Sequence, residues 1–437
     1  MSREMKDSGI AWIGEIPEHW GIGRMKDMVC LYTGNSIKDE DKDSYTDKLN
    51  AYPYVSTKDV DSVYYTINYD NGLYIPKDDL QFKIADIGSS LVCIEGGSAG
   101  KKKAFVEQKI SFVNKLCCFA PKGINGKYLF YYLCSPNFEI EFNKFVSGLI
   151  GGVSVSLLKN FAMILPSISE QQKIAEFLDR KCGEIDELVA LQEKMIEELK
   201  AYKQSVITEA VTKGLNPNAP MKDSGIEWIG EIPRHWEVCR VRNVGITQNG
   251  ISKGGEFFGE GEPFVTYSDV YKNMVLPKTA MGLILSTKEE QDKFSVKKGD
   301  VFFTRTSETI EEIGISSICE QTISNAVFAG FLIRLRLFSD KLLIYFAKYY
   351  FRSNIHRTYF VREMNIVTRA SLSQDLLKSL IILLPSLTEQ QAIADYLDRK
   401  CAEIDELVGV KQQKIETLTE YKKSLIYEYV TGKKEVI

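Results

Sequence analysis

The sequence predicts an α+β protein. Two mixed α/β domains are separated by two long coiled-coil helices, and the whole is a pseudo-two-fold tandem repeat. Two observations carry this. Residues 165–215 open LPSISEQQKIAEFLDRKCGEIDELV and are rewritten from Leu384, with 19 of the first 25 residues identical at an offset of 219. Residues 5–20, MKDSGIAWIGEIPEHW, return as residues 221–236 with 14 of 16 identical at an offset of 216. A long-period internal repeat outranks local propensity in reading a fold, because each copy is one structural unit written twice.

In chain order, residues 1–20 form a lead segment and residues 21–164 a first domain. Runs such as Ser90–Ile94 are rich in β-branched residues and read as strands, whereas Lys127–Cys134 is apolar at helical spacing. Residues 165–215 form the first long helix. Ser169 is placed to cap it and Gln172 completes a capping box just after Pro166. One seam track holds Leu178, Ile185, Leu199 and Val206, and a second holds Leu188, Met195 and Tyr202, with Gln192 near the midpoint. Such a helix extends roughly 65 Å at 1.5 Å per residue, and a narrow seam of that length marks a coiled-coil strand.

Asn216-Pro217-Asn218-Ala219-Pro220 is the linker, and with the second lead segment it fills residues 216–236. The second domain spans residues 237–383. Pro53-Tyr54-Val55 with Asp59 matches Pro263-Phe264-Val265 with Asp269, Ile110-Ser111 matches Ile323-Ser324, and Tyr131-Tyr132 matches Tyr349-Tyr350. Residues 384–437 hold the second helix, capped from Thr388 with Gln391. Its seam is Leu397, Ile404, Leu418 and Leu425 with Leu407 and Tyr421, and its midpoint is near Lys411. Scaffold segments are nearly identical while the domains share a frame and differ in detail. That pattern suits two readers of two different targets.

The 437 residues suffice for two or more cores. No apolar run is long enough to span a bilayer and no export signal is visible. Nine cysteines lack CxxC spacing, which points to reduced thiols in the cytoplasm. Three histidines give no metal cluster to propose, and a net charge of −4 confines any basic surface to local patches.

Catalytic patterns are sparse. Glu95-Gly96-Gly97-Ser98-Ala99-Gly100-Lys101-Lys102 is one residue short of a phosphate loop and has lysine where the magnesium-binding hydroxyl belongs, so it reads as a loop ending a strand. Asp86 with Glu107-Gln108-Lys109 fits the loose acidic-acidic-lysine spacing of nucleases, but the second domain has Thr322 in place of the lysine. Nucleic-acid features are better defined. In the first domain they are Ser98, Lys101, Lys102 and Lys103. In the second, Arg305, Thr306 and Ser307 close a strand where a guanidinium and hydroxyls can meet phosphates or a guanine edge. Residues 334–369 hold six arginines, of which Arg352, Arg357, Arg362 and Arg369 are the DNA-facing candidates. On the helices, Glu170, Gln171, Arg180, Lys181, Glu184, Asp186 and Glu187 recur 219 positions later, which suggests a partner surface presented twice.

The order of variable domain, LPSxxEQQxIAxxLDRKCxEIDELV helix, KDSGIxWIGEIPxHW segment, second domain and second helix resembles the DNA-specificity subunit of type I restriction–modification systems. The resemblance covers essentially the whole chain. It implies one target-recognition domain per half of a bipartite, asymmetric double-stranded DNA site. It also implies antiparallel helices that act as a ruler and bind two modification subunits, with restriction subunits completing the complex. S-adenosylmethionine, ATP and magnesium belong to those partners, and no cofactor or catalytic residue is expected in this chain. The competing readings are a self-sufficient DNA nuclease or methyltransferase and a coiled-coil adaptor that binds only proteins.

Overall fold

In the computed structural model, residues 3–146, 151–307, 312–338, 341–363 and 370–436 are described. The chain forms two compact units, Met1–Lys194 with Lys411–Ile437, and Met195–Val410. Each unit therefore combines a domain, the first half of one long helix and the last half of the other.

In the first unit, the lead segment is a hairpin of Met5–Asp7 with Glu15–Pro17. Gly21–Arg24 pairs antiparallel with Ala162–Leu165, so the domain's entry and exit are held together just before the long helix. The main sheet is antiparallel, in the order Val29–Thr33, Leu116–Pro121, Ser90–Cys93, Lys103–Phe105. A second sheet runs Tyr74–Pro76, Ala51–Val55, Ile110–Phe112, Ile84–Ala85, with its central pair parallel. Helix Gly126–Cys134 starts at Asn125, whose side chain caps Tyr128 N, and it is buried along most of its length. Trp20, Tyr128, Phe119, Phe138 and Phe161 fill the core between this helix, the sheet and the long helices.

The second unit repeats the plan. Its main sheet runs Gly245–Asn249, Leu332–Leu337, Asp300–Thr304, Ser316–Ile318, the same strand order as in the first. Phe258–Val265 pairs parallel with Val327–Phe328, as Ala51–Val55 does with Ile110–Phe112. Glu237–Arg240 pairs with Ile381–Leu384 beneath the second long helix.

The long helices span Ile168–Lys213 and Leu387–Val430. Both start two residues earlier than Ser169 or Thr388 would place them. Ser167 Oγ accepts from Glu170 N while the Glu170 carboxylate accepts from Ser167 N, and Ser386 Oγ accepts from Glu389 N. The capping residue is thus the serine directly after the proline.

Within each unit the helix segments run antiparallel. In the first, Phe177 packs on Tyr429 with ring centroids 4.3 Å apart, and Asp186 meets Lys422 Nζ at 2.7 Å. In the second, Asp405 meets Lys203 Nζ at 2.6 Å, which is the same pair shifted by one repeat. Leu178, Ile185, Leu397 and Ile404 are buried, Gln192 is buried, and Met195, Leu199, Lys411 and Leu418 are partly so. The second track needs correcting by one residue. Leu188, Leu407, Tyr202 and Tyr421 are exposed, and Cys182, Val189, Ile196 and Cys401 are buried instead. A seven-residue repeat divides as three plus four or four plus three, and the buried series 178, 182, 185, 189, 192, 196 takes four first. Leu188 is the larger apolar residue, but its Cβ points off the seam.

Gly183 lies mid-helix with nothing within 4 Å of where a Cβ would sit, and the second copy has Ala402 there. Gly183→Ala should raise stability by about 0.5–1 kcal/mol, read as a higher denaturation midpoint with an unchanged slope.

Candidate nucleic-acid interface

The most developed polar cluster lies at the end of strand Asp300–Thr304. Arg305 has its backbone held from both sides, since its N–H donates to Phe331 O at 2.9 Å and its carbonyl accepts from Leu372 N at 2.7 Å. Its half-buried guanidinium reaches Gly330 O at 3.3 Å. Thr306–Ser307 pairs with Ala370–Ser371, so the loop is a strand continuation rather than a free turn. Ser307 Oγ donates to the Glu312 carboxylate, and Tyr271 Oη donates to its other oxygen at 3.1 Å.

Tyr271 stacks on Tyr267 with centroids 5.9 Å apart. Burial raises the Tyr267 hydroxyl above its usual range. The hydroxyl has no well-aligned hydrogen bond among the described residues, although Ser307 and Thr304 lie beside it. Tyr267, Tyr271 and Glu312 were missed from sequence. The available signal was the spacing Tyr267-x-x-x-Tyr271 behind the Thr266/Asp269 capping box, which sets both rings on one helix face.

In the first domain, residues 95–102 join two antiparallel strands, and the turn is closed by Ala99 N to Gly96 O and Gly100 N to Cys93 O. Lys101 is exposed and Ser98 half-buried, while Lys102 Nζ donates to Thr57 O at 2.6 Å. Lys103 does not face solvent. It is fully buried, with Nζ 2.7 Å from Glu139 and 5.6 Å over the Phe138 ring, because strand alternation turns it inward. Asp86 and Lys109 form an exposed ion pair at 2.9 Å.

The arginine-rich stretch is spent mostly on structure. Arg336 is paired with buried Asp300, and Arg334 is buried, donating to Ser295 O and Gln248. Arg352 also has an internal role. Its guanidinium donates to the carbonyls of Ser316, Val270 and Asn273, and burial pulls its pKa down to about 10. Arg362 is more than half exposed, 3.2 Å from Glu227 and over Trp228. The Arg357 side chain and Arg369 lie outside the described residues.

The repeated helix residues divide into two groups. Arg180, Glu184 and Glu187 are exposed, as are Arg399, Glu403 and Glu406. Glu170, Gln171 and Asp186 instead face inward. Gln171 is buried, accepting from Asn125 N and donating to Pro166 O, and Gln390 does the same with Leu343 N and Pro385 O. Glu170 latches the lead segment, accepting from Trp20 Nε1 at 3.0 Å and Arg3 at 2.5 Å, with His19 Nε2 2.9 Å away. Burial pushes this carboxyl up, but the hydrogen bonds from Trp20, His19 and Ser167 outweigh it and hold it at about 2.

This duplicated plan of sheet domain, lead-segment latch and half-shared helix pair matches a known family model. Residues 17–201 and 233–417 each match the type I restriction modification DNA specificity domain. The chain belongs to that family. Among members of the specificity-subunit family, it is 24% identical to the type I restriction enzyme MjaVIII specificity subunit of Methanocaldococcus jannaschii, over 96% of this chain and 93% of that one. It is also 24% identical to the EcoKI specificity subunit of Escherichia coli, over 90% of this chain and 84% of the relative.

Two solved structures share the specificity-subunit fold. One, from work on complex assembly and conformational transition of the type I R-M system, gives a TM-score of 0.71 at 17% identity over 95% of this chain and 99% of that one. The HsdS subunit from Thermoanaerobacter tengcongensis gives 0.50, also at 17% identity, covering 95% and 98%. No described helix is long and apolar enough to cross a membrane.

Proposed function

We propose that this chain is the non-catalytic DNA-reading subunit of a type I restriction–modification complex in the cytoplasm. Each domain reads one half of a bipartite, asymmetric site. The long helices dock two modification subunits, with restriction subunits completing the assembly. S-adenosylmethionine, ATP and magnesium act in those partners. The observation that carries this reading is two domains of one strand order on helices that open with one repeated sequence, with different loop chemistry at the same place. At the end of the third main-sheet strand, one domain presents a glycine-rich turn with Lys101 and the other presents Arg305 with Tyr267, Tyr271 and Glu312. A common scaffold with unlike tips is what reading two different base sequences requires.

The test is Arg305→Ala in the assembled complex, with methylated sites read from the whole genome. Relaxation at one base position of one half-site is expected, worth about 1–3 kcal/mol. A uniform loss on all sequences would make Arg305 a phosphate contact, and no change would remove it from the interface. A complex that methylates without any bipartite preference would overturn the reading itself.

A further inference from the structure

In the first unit, a loop leaves the domain and reaches both long helices. Val60 and Ile67 bridge its base, Asp61 N donates to Thr66 O at 2.9 Å, and the Asp61 carboxylate accepts from Val63 N and Tyr64 N at 2.7 Å each. The turn closes with Tyr65 in the left-handed region at φ 57. A non-glycine residue there costs about 1 kcal/mol or more.

That conformation aims two neighbouring tyrosines at two different helices. Tyr64 Oη donates to Glu193 of the first long helix at 2.5 Å. The Tyr65 ring lies edge-on to Phe130 at 6.3 Å, with Lys422 of the second long helix 5.4 Å over its face. Lys422 is the same residue that pairs with Asp186. Beneath the loop is a cavity of about 460 Å³, bordered by Tyr64, Tyr65, Tyr69, Tyr131 and Asp186. The loop therefore grips at its tips and spans open space between them.

The second unit has no counterpart among its described residues. There the segment after Asp269 turns back into its own sheet, with Leu276 N donating to Ile318 O at 2.8 Å and Ile318 N to Met274 O at 3.0 Å. Its domain is tied to its helix by Tyr349 to Asp398 at 2.6 Å. The first unit has that contact too, as Tyr131 to Asp179 at 2.7 Å. The loop is thus an added attachment, and its Tyr64 contact at Glu193 lies further along the first long helix than the shared contact at Asp179.

We propose that Tyr64 and Tyr65 are positioning residues that set the angle of the first domain on its helices, and so the number of base pairs accepted between the half-sites. This rests on the DNA-reading role proposed above. The probe is a plasmid library carrying the two half-sites with the intervening length varied by single base pairs, methylated by the assembled complex.

The unmodified complex should accept one length. Tyr64→Phe and Glu193→Ala should each raise methylation at lengths one base pair shorter or longer by about tenfold, with base preference in both halves unchanged. Glu193→Gln keeps an acceptor for the tyrosine hydroxyl and should restore the single length. If Tyr64→Phe prevents assembly, Glu193→Ala reads the same contact from a solvent-facing helix position. An unchanged length preference in the assembled variants, or altered base preference at a fixed length, overturns the inference. Failure of the unmodified complex to select any bipartite site would instead count against the DNA-reading role.

Discussion

Residues 1–219 alone should form a two-fold homodimer that, with modification subunits, methylates a palindrome of the first domain's half-site. The fragment holds both members of the ion pair that the intact chain makes twice between its repeats, although Ala210 stands where Tyr429 meets Phe177. Asp186 pairs with Lys422 in one unit and Lys203 with Asp405 in the other, at a constant offset of 219. In a dimer, Lys203 of one copy can therefore meet Asp186 of the next. Gly432 packs where a Cβ would come within 2.5 Å of Pro17 and 2.9 Å of Trp20, and Gly214 faces Trp236 and Pro233 less tightly, at 3.3 and 3.9 Å. Gly214 of one copy thus has a seat on the lead segment of its mate.

Without a mate, Leu178, Ile185 and Val189 would face water, at roughly 1.5–3 kcal/mol for each such side chain. Gln192 would approach its own symmetry mate, where two amides can bond. The reciprocal C-terminal fragment brings two Lys411 ammonium groups together and should dimerise less well. Sedimentation at micromolar concentration is the check, and a stable monomer refutes the pairing. Lys203→Asp should weaken the dimer about tenfold or more, and adding Asp186→Lys should restore it.

Trp20→Ala should be among the most destabilising single changes, costing about 3–5 kcal/mol. It empties a buried indole site and strips the Glu170 carboxylate of a donor. Trp236→Ala should cost less, by about 1–2 kcal/mol, because the Trp236 Nε1 is buried without a partner among the described residues. The same latch sets an acid dependence. Glu170 falls from its ordinary 4.5 to about 2, so its stabilisation is complete above pH 4.5 and is lost as pH drops toward 2. Trp20→Phe removes the indole donor, raises this carboxyl and should shrink the acid loss. Melting curves at pH 7 and pH 3 measure it, and an unaltered difference between them would exclude the latch.

The architecture was legible because duplication prints it. Two copies of one helix and one lead segment fix the number of units before any strand is assigned. Details that depend on direction were less accessible. Leu188 and Val189 both satisfy a seven-residue seam, and only packing chooses between them. Ser167 and Ser169 both stand three residues before a residue able to close a capping box, Glu170 or Gln172. Lys103 looks like the third member of a basic tip, yet it is the first residue of an inward-facing strand position matched to Glu139, 36 residues away. Arg352 reads as surface charge because backbone carbonyls, its true partners, have no signature in a sequence. The Tyr267 and Tyr271 pair was recoverable from spacing, whereas Glu312 joins it only through the tertiary fold.

The composition of the first unit has a consequence for biosynthesis. Residues 1–194 emerge from the ribosome before the second domain, but the segment that completes their core, residues 411–437, is made after it. At about 5–20 residues per second, the roughly 216 intervening residues take on the order of 10–40 s. Through that interval the nascent first helix carries Ile174, Leu178, Ile185 and Val189 without the residues Leu425, Ile426 and Val430 that will cover them. The first unit therefore closes its core only after the whole second unit has been synthesised.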